Sequence, residues 1–542
     1  MGSPIGKFTR FTQIREYVVS AAFRSLFQHV PVSESGAIMI RTYQILIATA
    51  AACACAAMPA MAEEPVDGSV LSRTHVRIDW DDHESTSDFD LELGIATSDP
   101  FDDPIISIRT DESRHLVTEG LDFGINYTWR IRPVFRGSPG EWSEARDFSI
   151  KNIPIDFQLE VDVQQGLGTP EPGITIFNHC DSIVGYDLDG KLVLHTQTPS
   201  RVGDCRVISG GRLLYVGWGR AWILSLEGET LWASPDDSEL RVHHSASMMP
   251  SGNVLMVVTE YRDIEQDGVV RSWKGDRIVE MDPETDEIVW TWSTFDHFDT
   301  DDYDVYQPQH WNDWTHTNDA HYVEADNSIY ISVRHLSRIT RIDYDTKEIV
   351  YNLGMDMPSG DVSVGNNLFS YQHSPMLLEN GNLLLLDNGN RRGGAPANSS
   401  NGRTFAVEIE LGDLPLTDAT IVWSWEVPTY CPSTGDANRL ANGNTLITAT
   451  HVNGMLEVAP SGVLVWRLDI LAAETCSGYR PGYRTTRVPH LFHLELENPC
   501  EADLTGDSVV GVNDLLAVIA DWGDPYDVID LLKVIQSWGE CP

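Results

Sequence analysis

Between about residue 155 and residue 497 the chain repeats one pattern of apolar and polar positions: a polar Gly-Asn turn, a short apolar strand, a second strand, and a closing strand that ends in an aromatic. The turn reads most clearly as Pro250-Ser251-Gly252-Asn253-Val254-Leu255, Glu379-Asn380-Gly381-Asn382-Leu383-Leu384 and Ala441-Asn442-Gly443-Asn444-Thr445-Leu446. Closing strands stand at Gly228 to Trp232, Glu287 to Trp292, Lys347 to Tyr351, Thr420 to Trp425 and Gly462 to Trp466. A sixth unit combines Ile183 to Tyr186 and Lys191 to Leu194 with a late strand around Pro489 to His493, which closes a ring. Units of this length bury their faces against their neighbours, so equivalent positions become equivalent places around one axis. Four strands per unit fit the spacing, and residues 151–498 read as a six-bladed β-propeller, with seven blades as the alternative count.

The pattern differs on both sides of the repeats. Over 63–150 it alternates with period two, as in His75 to Trp80 and Tyr127 to Val134, between polar turns: a small β-sandwich. Over 499–542, Asp514-Leu515-Leu516 and Trp522-Gly523 return sixteen residues later as Asp530-Leu531-Leu532 and Trp538-Gly539, which implies two short helices. Asp503, Thr505, Asp507 and Asp514 have the spacing of oxygen ligands in a calcium loop, with Ser508 where a glycine is usual. The alternative is an acidic capping turn that binds nothing. The fold class expected is mainly β: propeller, amino-terminal sandwich and a small α-helical calcium-loop tail.

Composition narrows the setting. With 542 residues, 42% of them apolar, the chain can bury several cores and is too long for one ordinary domain. A net charge of −44 excludes a nucleic-acid partner and an anionic membrane surface, though not a small anion held locally; its plain reading is solubility. Arg41, the apolar run Gln44 to Ala52 and Ala60-Met61-Ala62 have the three regions of a secretory signal, with cleavage expected after Ala62 and Met39 as the true start of the 1–62 leader. No second apolar run reaches the roughly 20 residues that span a bilayer, so a periplasmic or extracellular protein without a transmembrane segment is expected. Six cysteines then remain, Cys180, Cys205, Cys431, Cys476, Cys500 and Cys541, an even set that suits an oxidising compartment. Proximity favours Cys180 with Cys205, Cys500 with Cys541 and Cys431 with Cys476.

The candidate chemistry follows the repeat. His244 and His373 each precede the glycine of a Gly-Asn turn by eight residues, and His316 stands upstream of the same kind of strand. The three should converge. A second equivalent set, seven positions after the turn, is Thr259, Arg334, Asn388 and Thr450. Neutral imidazoles around one guanidinium suit a tetrahedral oxyanion, which points to sulfate or phosphate esters. The alternative is a hydrogen-bond network at the entrances of the repeats. Register favours His244 over the adjacent His243, and strand alternation points His335 away from the centre. Asp296 to Asp304 reads as a solvated acidic loop or a cation site, and Trp311, Trp314 and Tyr430 as packing or as walls for a phenol.

Asp313-Trp314-Thr315-His316-Thr317-Asn318, Ile331-Ser332-Val333-Arg334-His335 and Tyr371-Gln372-His373-Ser374-Pro375 resemble the signature stretches of aryl-sulfate sulfotransferases that use no nucleotide sulfate donor. The resemblance extends to Asp387-Asn388-Gly389, Tyr351-Asn352-Leu353-Gly354 and His244. It implies transfer of a sulfuryl group from a phenolic sulfate donor to a phenolic acceptor, without a catalytic cofactor. His373 would be the nucleophile, forming a sulfohistidine in a ping-pong cycle; Arg334 would bind the sulfuryl oxygens; His316 and His244 would serve as acid and base; Asn318 would orient its neighbours. The absence of a Walker-type phosphate loop agrees with this. Through Trp129 and Gly140 to Glu144, the segment 63–150 resembles a fibronectin type III module; the tail resembles a dockerin, which implies a cohesin-like protein partner. Two other functions fit the same residues: a non-catalytic propeller that binds sulfated ligands or proteins, and an aryl sulfatase in which water accepts the group.

Overall fold

The computed structural model describes residues 64–81, 88–362, 364, 368–391, 402–452, 454–473 and 481–492, with a few isolated positions after 508. The expected leader, the calcium-loop residues Asp503, Thr505, Asp507 and Asp514, and the two tail helices lie outside the described residues. Contacts group 1–63 with Trp80–Asp82 in one unit and the remainder in a second, and all that follows concerns the second. The protein is mainly β, and no helix among the described residues is long and apolar enough to cross a membrane.

Six antiparallel sheets follow one another along the chain. The second contains Cys205–Ile208, Arg212–Gly217, Arg220–Ser225 and Thr230–Ala233. The third contains Val242–Met248, Val254–Gln266, Val269–Met281 and Ile288–Ser293; the fourth, Thr317–Val323, Ser328–Val333, Arg338–Asp343 and Ile349–Gly354. The fifth contains His373–Leu377, Leu383–Asp387, Phe405–Leu411 and Ala419–Glu426. Asp436–Arg439, Thr445–Ala449, Gly454–Val458 and Leu464–Ala473 make the sixth, which Leu159–Gln165 extends at its outer edge. The first sheet is discontinuous in sequence: Leu192–Gln197, Ser182–Tyr186 and Ile174–His179 come early, and Thr485–Val488 joins them from the far end, pairing Ile174 with Val488 and Phe177 with Thr485. The strand that completes this sheet is therefore Thr485–Val488 rather than one around Pro489, since residues 489–492 follow it as a turn.

Each sheet packs on the next through its leading strands, from Cys205–Ile208 round to Asp436–Arg439, and Thr445–Ala449 meets Thr485–Val488. Leu213, Leu255, Ile331, Leu385 and Ile447 lie between these layers at under 1% exposure, the burial on both faces that apolar strand runs require. A tryptophan in the last strand of four of the sheets has a specific task. Its indole Nε1 donates to the outer hairpin of the following sheet: Trp232 to Asp286 Oδ1 at 2.9 Å, Trp290 to the Tyr344 carbonyl at 2.9 Å, Trp425 to that of Gly462 at 3.1 Å and Trp466 to that of Leu188 at 2.9 Å. A wide apolar ring with one donor fills the wedge between sheets and satisfies a turn carbonyl in one residue.

Ahead of the first sheet, Ser69–Leu71, Arg146–Ile150, Asn126–Phe135, Asp88–Ile95 and Ile106–Thr110 form one sheet, and Val76–Asp79 pairs with Arg114–Val117. Trp129 is in its core, fully buried; Trp142 is half-buried at the surface, with Arg130 and Arg132 each 4.3 Å from its ring. The Ser72 carbonyl and Thr74 amide of this region bond to His195 and Val193 of the first repeat sheet. Two of the expected cystine pairings are not formed, because Cys205 and Cys431 are buried thiols; Cys180 is disulfide-bonded, but not to Cys205. Cys205 faces Leu213 and Val202 in an apolar layer, and burial pushes its thiol far above the ordinary value.

The acidic stretch Asp296 to Asp304 is only partly a solvated loop. Asp302 is fully buried against Arg338, its carboxylate 2.6 Å from Nη2, and also accepts from the Ser359 amide and hydroxyl. Asp304 is buried against Arg391 and the Tyr371 hydroxyl. Desolvated carboxylates persist only with such partners, and here they fasten the segment that leads into Asp313.

Because Trp466 joins the last sheet to the first, Trp466→Ala should lower the free energy of unfolding in urea by about 3–5 kcal/mol, whereas Trp466→Phe, which keeps the ring and loses the donor, should cost about 1 kcal/mol. Equal effects of the two would show that the indole hydrogen bond, not the ring, carries the contact.

Candidate active site

The leading strands of the third, fourth and fifth sheets share a local irregularity. Their pairing with the neighbouring strand slips between Val242 and Ala246, between Thr317 and Asp319, and between His373 and Met376. At or beside each slip a non-glycine residue takes a left-handed conformation: His244 at φ 60°, His316 at 49° and Ser374 at 52°. A bulge re-aims the side chain at its edge, and these three aim imidazoles at one region. The His244 and His316 ring centroids are 4.6 Å apart, and Tyr483 lies between His244 and His373, at 6.1 and 6.4 Å.

Behind each imidazole stands a group that takes its Nδ1. For His373 it is Asn388: the Asn388 amide nitrogen donates to the carbonyls of Cys431 and Thr434, so its oxygen must accept from His373 Nδ1, 2.6 Å away. His373 Nε2 is then the lone-pair nitrogen, and the Thr434 backbone N–H donates to it at 3.3 Å. That amide is aimed by two successive left-handed residues, Thr434 and Gly435; a Cβ on Gly435 would lie 2.5 Å from the Thr448 carbonyl. For His316 the acceptor is the Asp313 carboxylate, 2.6 Å from Nδ1 and held from its other oxygen by Lys274 at 2.8 Å. For His244 it is His243, with the two Nδ1 atoms 2.7 Å apart and His243 Nε2 3.1 Å from the buried Asp276 carboxylate. A proton on His243 Nε2 facing Asp276 makes His244 the donor between the two rings, and leaves its Nε2 bare.

Arg334 ends the strand Ser328–Val333. Its Nη1 donates to His335 Nε2 at 2.9 Å and its Nη2 to the Pro432 carbonyl at 3.0 Å; buried Nε has no protein partner, and the guanidinium lies 4.4 Å over the Tyr371 ring. Strand alternation would turn His335 away. The chain instead leaves the strand at Arg334 for a tight turn, so His335 stacks on His316 at 4.5 Å and donates from Nδ1 to the Asp313 carbonyl at 2.6 Å. Asn318 is wholly buried and donates to the carbonyl of Gln372, the residue before His373, at 2.8 Å. Thr450 bonds the Thr434 hydroxyl at 2.6 Å, and Thr259 is in the strand ladder opposite Asp276.

A cavity of about 580 Å³ opens at His244, Thr434, Thr450 and Tyr483, with Trp218 at its rim. A second, of about 540 Å³, opens at Arg334, Tyr371 and Asp313. The aromatic walls come from Trp218, Tyr483 and Tyr371. Trp314 is buried between Trp273 and Phe295, and Trp311 packs against the same core. The sequence does not single out Asp313, Trp218 or Tyr483, and strand alternation sets His335 aside: Asp313 carries no repeat register, and Trp218 and Tyr483 are brought in by a hairpin tip and by the segment leading into Thr485–Val488. The group Asp313, His316 and His335 has its ligand atoms within 4.8 Å of one another, but His316 Nδ1 and both His335 nitrogens already have hydrogen-bonding roles.

Burial sets the protonation of the site. It holds His373 well below the usual imidazole range, Arg334 adding to the effect and Asn388 opposing it. His244 and His335 are held down by burial and then by His316 beside them. For His316 burial also dominates, but the Asp313 hydrogen bond works against it. Asp313 stays ionised, since its bond from His316 and the nearby Lys274 outweigh the burial that would raise it. Asp436, deeper in the centre, is pushed up by burial to about 6. Below the ordinary imidazole value of about 6.5 the unfolded chain takes up protons at His244, His335 and His373 that the folded chain refuses, so stability falls with pH through that window. Asp436 alone opposes this, as its raised folded value favours the fold when it protonates. Urea midpoints should drop between about pH 7.5 and about pH 5.5, with His75 and His195, which burial also holds down to about 4, adding to the drop; a flat or rising midpoint would mean that these imidazoles are charged in the fold.

A model of the family described as arylsulfotransferase (ASST) matches residues 168–462, more than half of the chain. No curated protein matches the chain. Solved structures similar to it include a protein of unknown function from Bacteroides caccae (12% identity over 55% of this chain and 93% of that one, TM-score 0.36) and a streptogramin B lyase (12%, 58% and 88%, TM-score 0.34). A putative 6-phosphogluconolactonase from Bacteroides uniformis is another (10%, 74% and 97%, TM-score 0.30). These likenesses are too distant to bear on the site. The matched segment carries Arg334 and all three imidazoles, from His244 to His373, and on that match the chain belongs to the arylsulfotransferase family.

Proposed function

We propose that the six sheets are the blades of a six-bladed propeller, and that this exported protein moves a sulfuryl group from a phenolic sulfate ester to a phenolic acceptor through a sulfohistidine at His373. The observation that carries the reading is the His373 tautomer: Nδ1 is committed to Asn388, so Nε2 carries the lone pair, held at rest only by the long 3.3 Å bond from the Thr434 amide that a bound sulfuryl group displaces, and burial keeps the ring neutral. A neutral imidazole with a defined lone pair is a nucleophile at neutral pH.

In the first half-reaction His373 Nε2 attacks sulfur, the N–S bond forms as the S–O bond to the aryl group breaks, and the electron pair leaves with the phenolate oxygen. His316, which takes up a proton from solvent as the anionic donor binds beside it, supplies that proton to the oxygen. Of the three imidazoles it alone has a carboxylate on Nδ1, which stabilises its protonated form and makes it the general acid. The unpartnered Nε of Arg334 and the donors around it meet the sulfuryl oxygens as charge shifts over them. In the second half-reaction a phenol enters, His316 takes its proton, the phenol oxygen attacks sulfur, and the N–S bond breaks to restore His373. His244 lines the 580 Å³ cavity and holds the bridging oxygen; Asn318, His335 and Asp313 act as positioning residues. No step calls on a metal or a nucleotide.

Purified protein given a chromogenic aryl sulfate alone should release about one equivalent of phenolate and yield a sulfated His373 peptide on digestion, with continued release only when a second phenol is present. His373→Ala should abolish both. Release equally fast without phenol would make the protein a sulfatase, and no release with several donors would leave a binding function.

Asp313→Asn should lower kcat about 10²- to 10⁴-fold for esters of weakly acidic phenols and far less for nitrophenyl sulfate, whose leaving group needs no proton. Equal losses for both would remove His316 from the acid role.

A further inference from the structure

The hairpin joining Arg212–Gly217 to Arg220–Ser225 turns through two residues, Trp218 and Gly219, since Gly217 pairs directly with Arg220. Both are left-handed, at φ 51° and 79°, the geometry of a type I′ turn, in which Asn-Gly is favoured and a bulky side chain is strained. Nothing in the fold offsets the choice of tryptophan. Its side chain makes no hydrogen bond or ring contact with any described residue and is 78% exposed. A strained, exposed indole that stabilises no part of the fold is an outlier that calls for a functional reason, and its location supplies one. Trp218 stands on the rim of the 580 Å³ cavity that reaches His244, Tyr483 and Thr434, whose amide touches the reactive nitrogen of His373. Val202, Val216 and Val242 give the same cavity apolar walls, beside the polar Asn178, Arg201 and Asp204.

We propose that Trp218 is a specificity-determining residue, the wall of an aryl subsite on which the ring of the phenolic donor, and then of the acceptor, stacks opposite Tyr483. The proposal rests on the sulfuryl-transfer reading of the site and extends it to the class of phenol. The ring enters between Trp218 and the valine wall, and its hydroxyl or ester oxygen points toward His244 and His373. A cavity of this size exceeds one benzene ring, so phenols with two fused rings gain more from the indole face than single-ring phenols do. Offset stacking needs only a flat π-face, so the subsite selects for ring area and not for a substituent pattern.

The test is Trp218→Asn, which replaces the strained residue with the one the turn favours, so that the folded state is kept. Thermal midpoints should be unchanged or raised. Calorimetric titration of 2-naphthol should show binding weakened about three- to tenfold, with a smaller change for phenol, and KM for naphthyl sulfate should rise by a similar factor while kcat holds. Equal dissociation constants for wild type and variant with both phenols overturn the proposal even if transfer proceeds. Wild-type protein that transfers no sulfuryl group from any aryl sulfate would remove the underlying reading, and the 2-naphthol titrations would still decide whether Trp218 holds an aromatic ring.

Discussion

Successive sheets in this protein are fastened to one another by indoles: a tryptophan in the last strand of one sheet donates Nε1 to the outer hairpin of the next, as Trp290 does to Tyr344 and Trp466 to Leu188. A wide apolar ring with one donor covers apolar surface and satisfies a polar group of the neighbouring sheet at once. The leading strands of these sheets pack on one another, and that packing brings His244, His316 and His373, separated by long stretches of chain, within reach of one another.

The centre depends on the reverse problem. Imidazoles and a guanidinium withdrawn from water are costly to keep charged, and here they are kept neutral or answered by fixed acceptors. Asn388 takes the His373 proton, Asp313 that of His316, and the His243–Asp276 pair stands behind His244. Each acceptor has its own support: Asn388 is pinned by two carbonyls, and Asp313 by Lys274. The segment before Asp313 is fastened through the buried pairs of Asp302 and Asp304. A charge cluster that looks like a solvated loop in sequence thus bears on the proton affinity of His316.

The repeat in the sequence was enough to locate the strands, since a Gly-Asn turn, two apolar strands and a terminal aromatic are local signals with local causes. It also selected His244 and His373 by their distance from the turn and His316 by its place upstream of the same kind of strand, and the His244 and His316 rings meet while Tyr483 lies between His244 and His373. His335 shows where such reasoning stops. Strand alternation holds only while the strand lasts, and at Arg334 the chain has already entered a turn. The cysteines show the same limit, because neighbours in sequence such as Cys180 and Cys205 are placed by different sheets and Cys205 is buried in an apolar layer. Trp314 and Trp218 exchanged the roles that their neighbourhoods suggest: the one beside His316 is core, and the one far from any signature stretch stands at the cavity.

The sequence by itself determined the all-β repeat, the excess of acid over base, and the register that gives three equivalent positions a histidine and one an arginine, because these depend on periodicity and composition alone. Only the tertiary structure decided which nitrogen of each imidazole is free, which carboxylate stands behind His316, and which aromatic walls the cavity. Those properties belong to groups that meet from different sheets at hydrogen-bond distance, and a contact between residues tens to hundreds of positions apart leaves no periodic trace in the chain.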